Sequence, residues 1–512
     1  MLKRILSVGA WTLLSRITGF ARDIVLAAVL GAGALMDVFS VANRLPNHFR
    51  AIFAEGAFNS AFVPAYTRIL TQEGEAPARL FSGRIMVLLA LAVSLLTAFA
   101  MWRMDLVIGW LAPGFADEPT RGSLAVVLTR ITFPYLVFVS LVTLLSGVLN
   151  AHGRFAAAAA APVLLNVAIV AAVAAAFLFP SAAHAAAWGV FAAGLLELLL
   201  VWVAASRAQA LPQLAAPRLD APTRGFFKAL LPATIGAAGT QIAMFADTIL
   251  VTYLAAGGAS ALYYADRLYQ LPVGVVGIAA GTVLLPEMSR LLAQGDEAGA
   301  IRAQNRSAAF TLMLSAPFLV AFLVLPVMVM EALFVRGAFD QAAAQAAGSV
   351  LAAYAVGLPA VVLIRSAVAP FFARGDTRTP VIASMSAVGI NVLLKLWLMP
   401  LYGAPGLALA TALGAWINLA ILTGIALHKG WTRPDGTLGR IALAVGGASL
   451  ALMAVLAGLP RLVPLPALDL PGGLHLSAAF TTLALAAALG GLVYAGLLLA
   501  CARVMRVPLR RI

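Results

Sequence analysis

The sequence predicts an all-α polytopic membrane protein of about 14 transmembrane helices, built as two parallel six-helix lobes and two further C-terminal helices. Three observations predict it: the composition, the spacing of apolar runs, and the side of the membrane on which the cations fall. Of 512 residues, 62% are hydrophobic and 11% charged, with a mean hydropathy of +0.99. Soluble domains average about 45–50% apolar and about 25% charged residues, so a water-soluble enzyme and a disordered chain are both excluded. An outer-membrane barrel is excluded too, because its strands would read as weakly alternating segments of about ten residues.

A helix needs roughly 20 apolar residues to cross a bilayer. Runs of that kind place spans near 5–30, 34–56, 80–102, 122–149, 156–180, 183–206, 225–254 and 260–286. Six more fall near 307–330, 343–372, 379–400, 404–428, 439–459 and 474–502. The first is too long for a cleavable signal sequence and is interrupted by Ser15, Arg16, Arg22 and Asp23. The connectors are too short for an independent catalytic domain. Cys501 is the only cysteine, which excludes an intramolecular disulfide or thiolate metal site. The histidines are scattered, with His152, His184 and His428 at or near helix ends, so no metal and no cofactor are expected.

The net charge of +14 would suggest nucleic acid in a soluble protein, but here its distribution is the informative part. With an even number of spans, both termini share one side. The segments on that side hold 22 cations, from Lys3 and Arg4 through Arg154, Arg207, Arg374 and Lys429 to Arg510 and Arg511. The opposite side holds 4: Arg103, Arg121, Arg336 and Arg461. Positively charged loops stay in the cytoplasm, so both termini are expected there, in a multi-pass protein of the bacterial cytoplasmic (inner) membrane, with no nucleic-acid partner.

A faint internal repeat organises the spans. Ala42-Asn43-Arg44-Leu45 recurs as Ala265-Asp266-Arg267-Leu268, and Phe62-Val63-Pro64 as Leu284-Leu285-Pro286. Gly153 has a counterpart in Gly375, and Trp188-Gly189-Val190 in Pro405-Gly406-Leu407. The offsets of 223, 222, 222 and 217 give a unit of six helices. The expected domains are an N-terminal lobe over 1–215, a C-terminal lobe over 220–430, and two additional helices with a basic tail over 438–512. Six is even, so the lobes repeat in parallel, as in secondary transporters that bind substrate between their halves near mid-membrane.

Eight cations remain within spans: Arg16, Arg22, Arg44, Arg50, Arg130, Arg267, Arg365 and Lys395. Six acids accompany them: Asp23, Asp37, Glu55, Glu197, Asp247 and Asp266. A charge at mid-bilayer costs at least about 2.5–3.5 kcal/mol, so such residues face a bundle interior or a wet cavity. Arg130 and Arg365 lie near span ends, where snorkelling is the competing explanation, and Glu197 reads as structural. Arg16 and Asp23 are seven apart and could pair across two turns. Asp37, Arg44 and Glu55 share one stripe of the second span. Pro46 and Pro272 are expected kinks. The first two spans and the eighth are cation-rich: Arg16, Arg22, Arg44, Arg50 and Arg267 against Asp23, Asp37, Glu55 and Asp266. Guanidinium forks match phosphate oxygens, which points to a phosphate or pyrophosphate ligand.

At this point Ser15-Arg16-Ile17-Thr18-Gly19-Phe20-Ala21-Arg22-Asp23 resembles the first-helix motif of the MurJ (MviN) lipid II flippases. So do Gly31-Ala32-Gly33 with Asp37, Arg44-Leu45-Pro46-Asn47, Phe53-Ala54-Glu55-Gly56-Ala57-Phe58 with Phe62-Val63-Pro64, and Tyr263-Tyr264-Ala265-Asp266-Arg267-Leu268. The resemblance implies the multidrug/oligosaccharidyl-lipid/polysaccharide exporter fold. It also implies transport, by alternating access, of the undecaprenyl-pyrophosphate-linked peptidoglycan precursor from the cytoplasmic to the periplasmic leaflet. Arg16, Arg22, Arg50 and Arg267 would bind the pyrophosphate, with Asp23, Asp37 and Glu55 as partners or gate residues. The two extra helices would hold the lipid tail. The expected partners are that precursor, membrane lipids and the cell-wall synthesis machinery, for a monomeric protein that is not an enzyme.

Two positions depart from the family pattern. Gln270 stands where many relatives carry an acid. Some relatives bind sodium through side chains matched here by Asp247, Asn391 and Thr411, but Lys395 takes the place of the second acid. An ammonium there would exclude sodium. The competing readings are a flippase for another polyprenyl-pyrophosphate oligosaccharide and a membrane-embedded transferase. The second is opposed by loop acids Asp105, Asp117 and Glu118, which lack a neighbouring histidine or second cluster.

Overall fold

The computed structural model describes residues 2–53, 57–462, 465–470 and 474–504. Ten helical stretches among the described residues are long and apolar enough to cross a membrane. Helices also occupy the other four expected positions, and those four carry most of the charges assigned to the bilayer.

The chain forms two compact units, Met1–Ala259 and Ser260–Ile512. In the first, α1 (Leu2–Leu30), α2 (Ala34–Phe53), α3 (Ala57–Gln72) and α4 (Glu75–Trp102) are followed by two short helices, α5 (Met104–Leu111) and α6 (Pro113–Ala116). Then come α7 (Pro119–Thr132), α8 (Tyr135–Ala151), α9 (Ala156–Ala174), α10 (Ala182–Arg207) and α11 (Ala221–Thr252). The second unit holds α12 (Gly258–Ala293), which begins just before the boundary, α13 (Glu297–Val324), α14 (Pro326–Phe334), α15 (Gln341–Ala355) and α16 (Leu358–Phe372). It continues with α17 (Arg378–Tyr402), α18 (Ala404–His428), α19 (Gly436–Leu462) and α20 (Ala478–Val504). Between the last two, Leu468–Leu470 and Leu474–Leu476 pair as a short antiparallel ribbon.

The helices start where the sequence supplies caps. Asp220, Asp296 and Asp340 each accept a hydrogen bond from the backbone N–H three residues on, and Ser181 does so for α10. Proline at the first turn of α7, α14 and α16 removes an N–H that would have no partner there. Several spans differ from the apolar-run reading. Residues 57–72, expected as a connector, are helical. The fourth and tenth spans are each broken, at Phe133-Pro134 and at Val356-Gly357, into α7/α8 and α15/α16. Hydropathy averages over such breaks because the flanking residues stay apolar. Pro46 and Pro272 both lie inside continuous helices.

The repeat is visible in the helix boundaries. The starts of α4, α5, α7 and α9 at 75, 104, 119 and 156 recur 222 residues later in α13, α14, α15 and α17, at 297, 326, 341 and 378. The turns recur as well. Gly153 and Gly375 both adopt positive φ, 71° and 76°, where a side chain would be strained. Each closes its helix the same way: Arg154 N–H bonds Leu149 O at 2.9 Å, and Asp376 N–H bonds Phe371 O at 2.9 Å. α11 opens the second repeat by sequence, yet it packs on α2, α3, α4, α5 and α6 within the first unit.

The first unit's core is aromatic. Phe62 stacks on Phe58, Tyr66 and Phe81 at centroid distances of 5.4, 5.7 and 5.9 Å, with Phe226 of α11 closing the cluster edge-on. In the second unit, α19 and α20 pack on each other, and α19 also packs on α13. The Tyr494 hydroxyl donates to Met313 O at 2.8 Å.

The 208–220 linker is strapped along α4. Arg79 Nε donates to Leu211 O at 2.8 Å, Gln213 N–H donates to Arg79 O at 2.9 Å, and Arg84 pairs with Asp220. A Cβ at Gly83 would fall onto the Gln213 carbonyl. Gly83→Val is therefore expected to undock the linker at a cost of about 1–3 kcal/mol. Faster proteolysis within 208–220 and a lower Tm would show it; unchanged cleavage would contradict it.

Candidate functional site

Helices α1 and α2 are rich in charges, and the structure sorts those charges by partner. Arg22 lies against Asp23, its neighbour in sequence: Nε and Nη2 donate to Oδ1 at 3.0 and 2.7 Å. Nη1 reaches α9 and donates to Asn166 Oδ1 at 2.9 Å. The Asn166 amide in turn donates to Ser15 O and Thr18 Oγ1, both at 3.1 Å. Asp23 is 2% exposed, and Gly19 leaves room for Asn166, whose Nδ2 would sit 3.4 Å from a Cβ there. The expected pairing of Arg16 with Asp23 does not form. Arg16 is exposed on α1 and has no hydrogen-bond or ion-pair partner among the described residues. Helical spacing allowed both partners, and the shared carboxylate went to the guanidinium that α9 could also hold.

Asp37 serves a different purpose. It is fully buried at the start of α2, and its Oδ2 accepts the N–H of Gly257 at 2.7 Å. Gly257 belongs to the turn from α11 into α12 and has φ of 90°. Arg121, 8% exposed, donates to Leu254 O in the same turn at 3.1 Å and pairs with Glu118 at 2.5 Å. The Gly114 N–H bonds the Thr252 hydroxyl at 3.1 Å. Three elements of the first unit thus hold the segment through which the chain leaves it. By sequence Arg121 reads only as a loop cation, because nothing local marks it as an anchor.

Further along α2, Arg44 and Arg50 are half-buried. His48, one turn from Arg44, hydrogen-bonds Thr248 of α11 at 2.7 Å and lies against Phe245. Glu55 lies outside the described residues. Glu197 of α10, 3% exposed, accepts from the Tyr135 hydroxyl at 3.2 Å. In the second unit, the Arg267 guanidinium stacks over the Tyr263 ring, 4.7 Å from its centroid. Asp266 accepts from Gln270, a neutral donor one turn further along α12, at 3.2 Å.

The residues matched to a sodium site divide between the units. Asp247 lies on α11 of the first; Asn391, Lys395 and Thr411 lie on α17 and α18 of the second. Asn391 Nδ2 donates to Ala410 O at 2.9 Å, and Thr411 Oγ1 donates to Leu407 O at 3.0 Å. Lys395 is 4% exposed. Asn391 and Thr411 therefore serve helix packing and the helix backbone, and a buried ammonium lies one turn beyond Asn391.

The lipid II flippase MurJ family model matches residues 26–464. The chain belongs to the MurJ family. A probable lipid II flippase MurJ of Rhizobium meliloti is 42% identical over 461 residues, covering 89% of this chain and 86% of the relative. The lipid II flippase MurJ of Burkholderia cenocepacia is 33% identical, covering 88% and 89%. Among solved structures, a MurJ lipid II flippase in an inward closed conformation superposes with a TM-score of 0.79 at 23% identity, over 97% of this chain and 99% of that one. An inward-facing multidrug-resistance transporter of the MATE family, from the MOP superfamily, gives 0.65 at 13% identity over 83% and 98%. The fold is therefore the one these solved structures share, in a multi-pass membrane protein of the MurJ family.

Proposed function

We propose that this protein flips lipid II, the undecaprenyl-pyrophosphate-linked peptidoglycan precursor, from the cytoplasmic to the periplasmic leaflet of the bacterial inner membrane by alternating access. The observation that carries the reading is the placement of several guanidinium groups on the charge-bearing helices α1, α2 and α12 of a MurJ-family chain. Arg16 is exposed without a partner among the described residues, Arg44 and Arg50 are half-buried on α2, and Arg267 lies on α12. In this reading Arg16, Arg44, Arg50 and Arg267 supply cations to the pyrophosphate, Arg22 is held ready by Asp23 and Asn166, and Asp37 acts at the gate. The polyprenyl tail stays in lipid along the C-terminal helix pair, α19 and α20. The charge asymmetry of the loops supports cytoplasmic termini. The protein moves its substrate without changing it covalently.

Complementation tests this. In a strain depleted of its own flippase, expression should restore growth and clear the precursor from the inner leaflet. Continued accumulation, or clearance only of a different polyprenyl-linked sugar, would refute the assignment.

The buried Lys395 ammonium already carries the positive charge that a sodium ion would bring. We therefore expect flipping in proteoliposomes at fixed potential to proceed at the same rate when sodium is replaced by potassium. A rate that rises with sodium would contradict the role given to Lys395.

A further inference from the structure

The two repeats differ at one place in a way that points to a ligand. In the second unit, Asp376 follows the positive-φ glycine between α16 and α17. Its carboxylate accepts from the Thr379 N–H at 3.0 Å and the Thr379 hydroxyl at 2.7 Å, which caps α17. It also pairs with Lys429 at the end of α18, at 3.2 Å. These bonds, the Thr379 backbone N–H foremost, hold the Asp376 carboxyl below the usual carboxylate range.

Moving each residue back by the repeat offset of 222 turns Asp376 into Arg154, Thr379 into Ala157 and Lys429 into Arg207. The first unit keeps the glycine turn, the helix start and the cation, and replaces the anion with a second cation. Arg154 and Arg207 are both exposed, and neither has a hydrogen-bond or ion-pair partner among the described residues. The N-terminus of α9 has no side-chain cap. Arg154, Arg207, Ala156 and Ala157 line one cavity of about 580 Å³, together with Ser7 of α1 and apolar Leu149, Phe155, Leu200 and Val203. That volume lies within the roughly 300–1,000 Å³ usual for small-ligand sites.

We propose that this crevice binds the phosphate headgroup of an anionic phospholipid, which takes the place of the missing carboxylate. The phosphodiester oxygens accept from both guanidinium groups and face the uncapped N–H groups of α9. The first acyl carbons lie on Leu149, Leu200 and Val203. A lipid fits better than free phosphate because the polar rim sits at the cation-rich ends of α8 and α10, where anionic lipids concentrate, while the remaining wall is apolar. The site shares no residue with the arginines given to the substrate.

The test uses the full chain, delipidated in neutral detergent, with phosphatidylglycerol, phosphatidylcholine or inorganic phosphate added. Bound lipid is counted by native mass spectrometry and Tm is followed in parallel. Phosphatidylglycerol should be retained and should raise Tm, and phosphatidylcholine should do neither. Apparent affinity should fall about five-fold with each of Arg154→Ala and Arg207→Ala. Arg154→Asp recreates the second unit's arrangement, so its lipid-free Tm should match or exceed the wild-type value and phosphatidylglycerol should no longer raise it. Because that variant is expected to fold at least as well as wild type, misfolding does not mimic the result. Retention unchanged in both alanine variants, or a full lipid response in Arg154→Asp, overturns the site. Inorganic phosphate alone reproducing the whole Tm rise overturns its assignment to a lipid.

Discussion

Asp23→Ala is expected to destabilise the first unit by about 3–5 kcal/mol, because it removes the carboxylate that accepts two hydrogen bonds from the buried Arg22 guanidinium. The side chains of Arg22 and Asp23 are 11% and 3% exposed, so water cannot replace the lost carboxylate. Asn166 would still hold one Nη, which accounts for one donor of the three that the network uses. Removing both charges together, as Arg22→Met with Asp23→Leu, should restore much of the stability while abolishing any contribution of Arg22 to transport. Thermal unfolding of the purified variants gives the first result, and the precursor-flipping assay the second. A Tm for Asp23→Ala within a degree of wild type would show that the pair is solvated rather than structural. That outcome would also remove the reason for treating Arg22 as preorganised.

The second large effect concerns the substrate cations. Arg16→Ala, Arg50→Ala and Arg267→Ala should each reduce flipping by about 10–100-fold, the worth of one hydrogen bond to a charged group. Lysine at the same positions should retain part of the activity, since the charge remains while the two-pronged geometry is lost. Arg16 is the sharpest case. It has no partner among the described residues, so its replacement should leave Tm unchanged and affect transport alone. Arg267 stacks on Tyr263, so its lysine variant should lose more than that of Arg16. Transport left intact by alanine at all three positions would show that the pyrophosphate is recognised elsewhere.

The helices were largely legible from the sequence because apolar runs of bilayer length admit few alternatives. Breaks inside those runs were not, since Phe133-Pro134 and Val356-Gly357 leave the average hydropathy unchanged. Local motifs marked Arg22 and Asp23 as important. Asn166, which completes their network, lies 144 residues from Arg22 and sits in an apolar helix with no motif around it. Asp37 was legible as a buried charge, but its partner is a backbone N–H, and a backbone group leaves no trace in composition.

Amino-acid order alone determined that this chain resides in a membrane, that it is helical, that it repeats, and that it carries arginines in segments that repel charge. Each of these follows from transfer free energy or from period, properties a segment has before it meets a neighbour. Tertiary structure decided which charges neutralise one another: Arg22 with Asp23, Asp376 with Lys429, and Arg154 and Arg207 with no acid among the described residues. An ion pair depends on distances of a few ångströms between segments far apart in the chain, and only packing sets those.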